Sequence, residues 1–470
     1  MRFTALLPAL LVGVAAFTPP STDFTVRSYL RTVDLMKSYV RDSSSFILEN
    51  TGAEPQSSFY LAVNASYTDT ESPLSAKLAM YEVKLKSDDG STSLKYTIDD
   101  EVNEDQMKYV KIELPKSIAV GQSVTVQLAS AVVRELVPLP KKIKQAEVQN
   151  LVWQGSRVAY IPYPVVKQRT KIKFSERPAN AYSRFKDDPT IDGTVLTYGP
   201  YENIPPQTYE PIRVKYEYNQ PLIEITKLER ELWVSHSGGN LATEERYWLT
   251  NSGAELTDHF SRVRWQATTM AQQSTPALKA AQVHLRAGVR DVYFTDEIGN
   301  VSTSNLRDDY RDPVLEFRPR YPVFGGWNYS FTLGWNHDLA RSVRETASEG
   351  IYVLRVPLLE GPVNAMYDEA DVLVVLPEGA KVLAVDSSYK DMTEELTSLY
   401  SHLDVVGRTV VKLSARDMTD EHRRNELYVT YELSKDAQYR KPIRVATAVF
   451  AVFFAIILLG KVDVSISKKA

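Results

Sequence analysis

The chain of 470 residues contains no cysteine and only six histidines. Without cysteine there is no thiolate nucleophile, no Cys-ligated zinc and no disulfide, so the folds must be held by burial alone. His236, His259, His284, His337, His402 and His422 are scattered, with no two at ligand spacing on one expected element, which argues against a metal site. There is no excess of charge of either sign: 55 Lys and Arg against 59 Asp and Glu give a net charge of −4. That balance argues against a nucleic acid partner, and the small basic cluster Lys141, Lys142 and Lys144 reads as a solvated strand end. Also absent are a Gly-x-Ser-x-Gly elbow, a His-Glu-x-x-His helix, a Gly-x-x-x-x-Gly-Lys loop and a Gly-x-Gly-x-x-Gly fingerprint. No catalytic residue, cofactor site or metal site is therefore expected.

What the chain does have is an apolar segment at each end. Met1 and Arg2 lead into the apolar stretch Ala5 to Val14, and the small residues to Ala16 suit signal peptidase, so residues 1–16 read as a cleaved secretory signal. Near the other end, Val445 to Gly460 is uncharged and bracketed by Arg444 and Lys461, which predicts a membrane helix over 444–461 and a short cytosolic tail, 462–470. Sixteen apolar residues are fewer than the ~20 that span a typical bilayer, which suits the thinner membrane of the early secretory pathway. With a cleaved signal and a terminal anchor, everything between them is lumenal.

Three Asn-x-Ser sequons at Asn64, Asn300 and Asn328 fit that compartment as N-glycosylation candidates, with Asn300 in a polar loop after Gly299 the best placed. On the anchor, Thr447, Ala451 and Ala455 recur every fourth residue and form a small-residue stripe where neighbouring membrane helices could pack.

Alternation of apolar and polar residues dominates the middle of the chain. It occurs at Tyr81, Val83, Leu85; at Val110, Ile112, Leu114; at Val124, Val126, Leu128; at Ile212, Val214, Tyr216, Tyr218; at Tyr352, Leu354, Val356; and at Leu427, Val429, Tyr431. These predict half-buried strands, and the apolar run Val372 to Leu376 a strand buried on both faces. Helices are expected over Ser28–Val40, Thr275–Leu285 and Thr393–Leu403. The fold class is mainly β with some helices (α+β): two tandem lumenal β-rich, sandwich-like domains at 17–205 and 206–440, plus the membrane helix. The junction is set at Tyr198 to Pro206, where three prolines and a glycine argue against regular structure.

The acidic clusters Asp308, Asp309, Asp312 and Asp368, Glu369, Asp371 read as surface turns. The ring-dense stretch Phe317-Arg318-Pro319-Arg320-Tyr321-Pro322-Val323-Phe324-Gly325-Gly326-Trp327-Asn328 is open to two readings, a docking surface or a ring-packed sheet corner.

This stretch, with Asp291-Val292-Tyr293-Phe294-Thr295-Asp296-Glu297-Ile298-Gly299-Asn300 before it, closely resembles the ribophorin I family. The resemblance extends through Tyr160-Ile161-Pro162-Tyr163-Pro164, Val234-Ser235-His236 with Glu244 and Glu245, and Leu376-Pro377-Glu378-Gly379. It implies the large single-pass subunit of the oligosaccharyltransferase complex, which moves an oligosaccharide from dolichyl diphosphate to Asn of nascent chains. The implied role is non-catalytic: holding the assembly and presenting acceptors while another subunit does the chemistry. Implied partners are the catalytic and small membrane subunits, nascent polypeptides and the lipid bilayer, with no nucleic acid, at the endoplasmic reticulum membrane. Longer members continue past the membrane, so ribosome contacts are in doubt for this sequence. Lys468 and Lys469 loosely resemble a dilysine retrieval signal, though residence by assembly fits better. The competing readings are a single-pass lumenal hydrolase and an adhesion-type receptor.

Overall fold

The computed structural model describes residues 23–461 apart from 69–76, 88–89, 104, 176, 187, 272, 310, 390, 402–403 and 405. The signal segment 1–16, His402, Lys468, Lys469 and the tail 462–470 lie outside the described residues. Strands account for 56% of the chain and helices for 11%. The chain clusters into two compact units, Met1–Leu136 with Val152–Tyr216, and Val137–Leu151 with Glu217–Ala470.

The first unit is built on an eight-stranded sheet. Its central strands run Val165–Lys173, Phe24–Asp34, Val40–Asn50, Ser123–Val132 and Leu78–Ser87, with Phe24–Asp34 parallel to Val165–Lys173 and the other neighbours antiparallel. A three-stranded sheet, Gln56–Asn64, Met107–Ile118 and Tyr96–Val102, supplies the other half of the core. Phe24, Val26, Phe46, Leu48, Val83 and Val126 pack with Phe59, Leu61, Val63, Val110 and Ile112 in one cluster. Burying alternate residues on facing sheets in this way is how a disulfide-free domain of this size is stabilised.

The second unit repeats the plan on a larger scale. Its eight-stranded sheet places Asn328–Asp338, Asn240–Asn251, Ile223–Ser235, Ala365–Glu378 and Arg408–Thr419 side by side, with Thr393–Leu399 at one edge. Ile223–Ser235 runs parallel to Ala365–Glu378 and antiparallel to Asn240–Asn251. A four-stranded sheet (Val343–Glu345, Ile351–Pro357, Glu426–Glu432, Lys381–Ser387) and a three-stranded one (Ala281–His284, Val314–Phe317, Ser304–Arg307) complete the described layers of the core. Residues 137–151 belong here because Gln149, fully buried, accepts from Ala254 N (2.7 Å) and donates to Tyr218 O (3.0 Å). Lys142 in the strand end Lys142–Ile143 pairs with Glu255 at 3.0 Å.

The alternating runs and the buried run Val372 to Leu376 are strands, except that Tyr218 lies just past the end of Pro211–Glu217. All three expected helices are not. Ser28–Val40 mostly continues the strand Phe24–Asp34, where a register shift between Val26 and Ser28 breaks the two-residue period and spaces Val26, Tyr29 and Val33 as a helix face would. Thr275–Leu285 ends in the strand Ala281–His284, paired with Val314–Phe317, and Thr393–Leu399 is a fully exposed edge strand. Local propensity lost to partners far away in sequence. The stretch Tyr198 to Ile204 is likewise strand rather than irregular: Gly199 and Pro200 fall where its pairing with Val165–Lys173 shifts register, so the missing proline donor is not needed.

Two α-helices are described. α1, Arg262–Met270, is capped by Ser261, whose hydroxyl accepts from Arg264 N, and was not expected. α2, Lys435–Lys461, contains within Lys435–Leu459 an 18-residue window of mean hydropathy 2.4, none of which is buried. The membrane helix expected over 444–461 thus lies within a longer helix that begins in the second unit.

Candidate functional site

The expected site residues do not converge. Asn64 ends the strand Gln56–Asn64, and its Oδ1 accepts from Ser66 N (3.0 Å) and Ser66 Oγ (2.8 Å). Asn300 is exposed, its carbonyl accepting from Arg320 at 3.0 Å. Asn328 begins a strand of the large sheet and accepts from Thr250 Oγ1 at 2.9 Å. On α2, Thr447 Oγ1 donates to Ile443 O (2.8 Å), and Ala451 and Ala455 face outward in the described structure. Asp368, Glu369 and Asp371 lie inside the strand Ala365–Glu378 and not in a surface turn, with Asp371 paired to Lys412 (3.4 Å) and Glu369 to Arg416, and Asp312 pairs with His284 (3.1 Å). No group of three possible metal ligands is found among the described residues.

The ring-dense stretch is chiefly a packed corner. Phe317, Val323, Phe324 and Gly325 are buried, and Phe324 meets Phe260, Trp265 and Trp327 edge-on or tilted at 5.5–5.7 Å. Gly325 is required there, since a Cβ would lie 2.1 Å from Ala254 O.

What the sequence did not single out is a cleft in the first unit. On the strand Val40–Asn50, residues 40, 42, 44, 46 and 48 share one face; Phe46 and Leu48 enter the core, but Asp42 and Ser44 continue that face past its end. Register places Arg31 beside Ser44, Asp42 beside Ser130, and Ser130 beside Tyr81. The inner surface of the sheet therefore turns from apolar to polar, and a cavity of about 310 Å³ opens over it. Its other walls include Asn64, Ser66, Tyr67, Trp153, Ser156, Tyr160 and Tyr209.

The charges in this cleft are matched. Arg31 pairs with Asp42 at 2.6 Å and donates to Ser156 O at 2.9 Å, and Lys77 pairs with Glu135 at 3.1 Å. Burial alone would lower the Arg31 guanidinium, but Asp42 outweighs it and raises it. Burial, helped by the Asp42 charge, pushes the Tyr29 phenol up to about 12. The Tyr81 hydroxyl is buried with no hydrogen-bond partner among the described residues. Tyrosines, serines and an asparagine around paired charges form a surface that can adapt to varied polar ligands without demanding a charge from them. The signal that could have found it is parity: Arg31, Asp42, Ser44 and Ser130 stand at inward positions of strands whose other inward residues are apolar.

The second unit treats the same signal differently. Arg230 and Glu245 are direct cross-strand partners at inward positions, and both side chains are 0% exposed. Arg230 also reaches Glu360 at 2.6 Å, Tyr247 donates to Glu245, and the ring of Trp335 lies 6.0 Å from the guanidinium. Burial pushes the Glu245 carboxyl up in spite of Arg230. Burial also opposes charge on Glu360, but Arg230 and Arg286 together outweigh it and hold that carboxyl below its usual range. With Arg230 and Glu245 at 0% and Glu360 at 4% exposure, the network is a structural clamp.

Comparison with known proteins bears on the whole chain. The family model described as Ribophorin I matches residues 24–460. The chain is 30% identical over 467 residues to dolichyl-diphosphooligosaccharide–protein glycosyltransferase subunit 1A of Arabidopsis thaliana, covering 99% of this chain and 74% of that protein. It is 33% identical to subunit 1 of Caenorhabditis elegans, covering 93% and 72%. Among solved structures, leukotriene A4 hydrolase from Saccharomyces cerevisiae overlays 42% of this chain and 30% of its own at 13% identity and a TM-score of 0.26, too shallow to carry any shared activity. The family match and these relatives run through the strands of both units and into α2, and the chain belongs to the ribophorin I family.

Proposed function

We propose that this protein is a non-catalytic subunit of the oligosaccharyltransferase complex, anchored in the endoplasmic reticulum membrane by α2, with residues 17–440 in the lumen and 462–470 in the cytosol. The observation that carries this reading is the family match over residues 24–460, together with relatives named as subunit 1 that align over 93–99% of the chain. The exposed apolar span of α2 supports the anchoring, and the lack of any nucleophile or metal-ligand motif in the sequence supports leaving the chemistry to another subunit. Its partners are then the catalytic and small membrane subunits. Acceptor presentation is assigned to the cleft of the first unit, whose neutral, hydroxyl-rich and amide-bearing lining suits an extended polypeptide segment.

The test is to tag the C-terminus, purify in mild detergent, and assay glycan transfer to an Asn-x-Thr peptide and to a nascent glycoprotein. Co-purification of a multi-spanning subunit with transfer activity is expected; a lone, inactive chain would return the hydrolase and receptor readings to the front. Ser130→Trp, which puts an indole into the cleft, is expected to leave co-purification intact while lowering transfer to nascent protein several-fold. Unchanged transfer would remove the cleft from acceptor presentation without touching membership of the complex.

A further inference from the structure

The membrane helix does not hang from the second unit on a free linker. Ala437, in its first turn, is buried in the core, close enough to Gly379 that a Cβ there would lie 3.2 Å from the Ala437 Cβ. One turn further on, Lys441 pairs with Asp404, whose side chain is fully buried and accepts from Arg408 at 3.2 Å. Asp404 sits in the connection between the edge strand Thr393–Leu399 and the strand Arg408–Thr419. Val406 in that connection donates its N–H to Glu378 at 3.1 Å, and Tyr400 packs within 3.1 Å of where a Gly407 Cβ would be. The described residues of this rim, Tyr400, Asp404 and Val406, are thus tied to the helix or to the sheet beside it.

Helix geometry then fixes the height of this rim. The uncharged run begins at Val445, four residues after Lys441, which is about 6 Å along the axis at ~1.5 Å per residue. The headgroup layer on each side of a bilayer is about 5–7 Å thick. Lys441 and the Asp404 connection bonded to it therefore stand at the level of the headgroups. The run Val445 to Gly460 covers only about 24 Å of a core of ~30 Å, and such a mismatch draws flanking residues toward the membrane. At this level the rim exposes side chains that water disfavours: Tyr400 is 68% exposed, Val406 55%, and Tyr439 on the helix 61%. Tyrosines flanking a span are the residues that anchor at the interface.

We propose that Leu399, Tyr400 and Val406, with Tyr439 and Ile443 of α2, form a lipid-binding rim that seats the second unit in the headgroup layer of the leaflet it faces. The occupant is phospholipid, and the effect is to fix the height and tilt of the unit over the bilayer. The proposal depends on α2 crossing a membrane and not on the complex the protein joins.

Because the native chain has no cysteine, a single introduced one is labelled uniquely. The full chain carrying Val406→Cys, spin-labelled and reconstituted into phosphatidylcholine vesicles, is first floated to confirm insertion. Its label is expected to collide several-fold more with oxygen than with an aqueous nickel chelate, relative to a label at Ile298→Cys, an 81% exposed site in the same unit. Tyr400→Cys gives an independent reading at a position whose replacement opens no core. Labels at both 400 and 406 as open to the chelate as the one at 298, in vesicles that float with the protein, would overturn the proposal.

Discussion

The two units share one construction and end in opposite places. Each centres on an eight-stranded sheet with one parallel pair among antiparallel neighbours, and each puts an arginine and a carboxylate at inward positions of that sheet. In the first unit the Arg31 and Asp42 side chains keep 15% and 21% of their surface in solvent at the floor of a cleft. In the second, Arg230, Glu245 and Glu360 keep 0%, 0% and 4%. The lesson is that an inward polar residue means neither a site nor a clamp by itself. The facing layer decides: where it stops short the polar face is wet and available, and where it closes the charges must satisfy one another.

The sharpest way to break this comparison is to remove one carboxylate from each unit. Glu360→Ala leaves the buried Arg230 and the half-buried Arg286 with one acceptor fewer and is expected to cost about 3–5 kcal/mol in denaturant unfolding of the second unit. Asp42→Ala leaves Arg31 where water can reach it and is expected to cost about 1 kcal/mol. Equal losses would mean that the first-unit pair is as dry as the second. Tyr81→Phe tests the cleft from the other side, because deleting a buried donor with no partner should stabilise the first unit, by about 1 kcal/mol in the same assay.

Acid should separate the units as well. His236 and His337 have their pKa lowered by burial, so below the ordinary histidine value of about 6.5 the unfolded chain binds protons that the fold refuses. Stability of the second unit is therefore full above that pH and falls as the pH drops through it. A further loss follows below the ordinary glutamate range as Glu360, held low, is forced to protonate; Glu245, held high, protonates early and offsets part of it. The first unit contains no histidine and is expected to hold its hydrogen-exchange protection between pH 7 and 5 while the second loses some. The smallest effect belongs to α2: Ala451→Leu is expected to loosen association with membrane subunits on co-purification while both units unfold as before.

Much of the fold was legible because strand alternation is a local signal: the runs at 81–85, 110–114, 124–128, 352–356 and 427–431 are strands as read. The misread helix at 28–40 failed for a physical reason, since a bulge at Val26 and Ser28 imitates helical spacing over a few residues. Of the candidate site, Asn64 and Ser66 were visible as a sequon, and both line the cleft. Arg31, Asp42, Ser44 and Ser130 were not, because parity marks a polar residue as inward only once its strand and that strand's partners are assigned.

By itself the sequence determined the mainly β class, an apolar helix near the C-terminus and membership of a family, because composition, period and motif are properties of neighbouring residues. Only the tertiary structure decided that residues 137–151 cluster with 217–470, that Arg230 is sealed while Arg31 is open, and that Lys441 ties the membrane helix to Asp404. Each of those rests on a contact between residues far apart in the chain, and such contacts are set by which surfaces meet when the apolar faces are buried together.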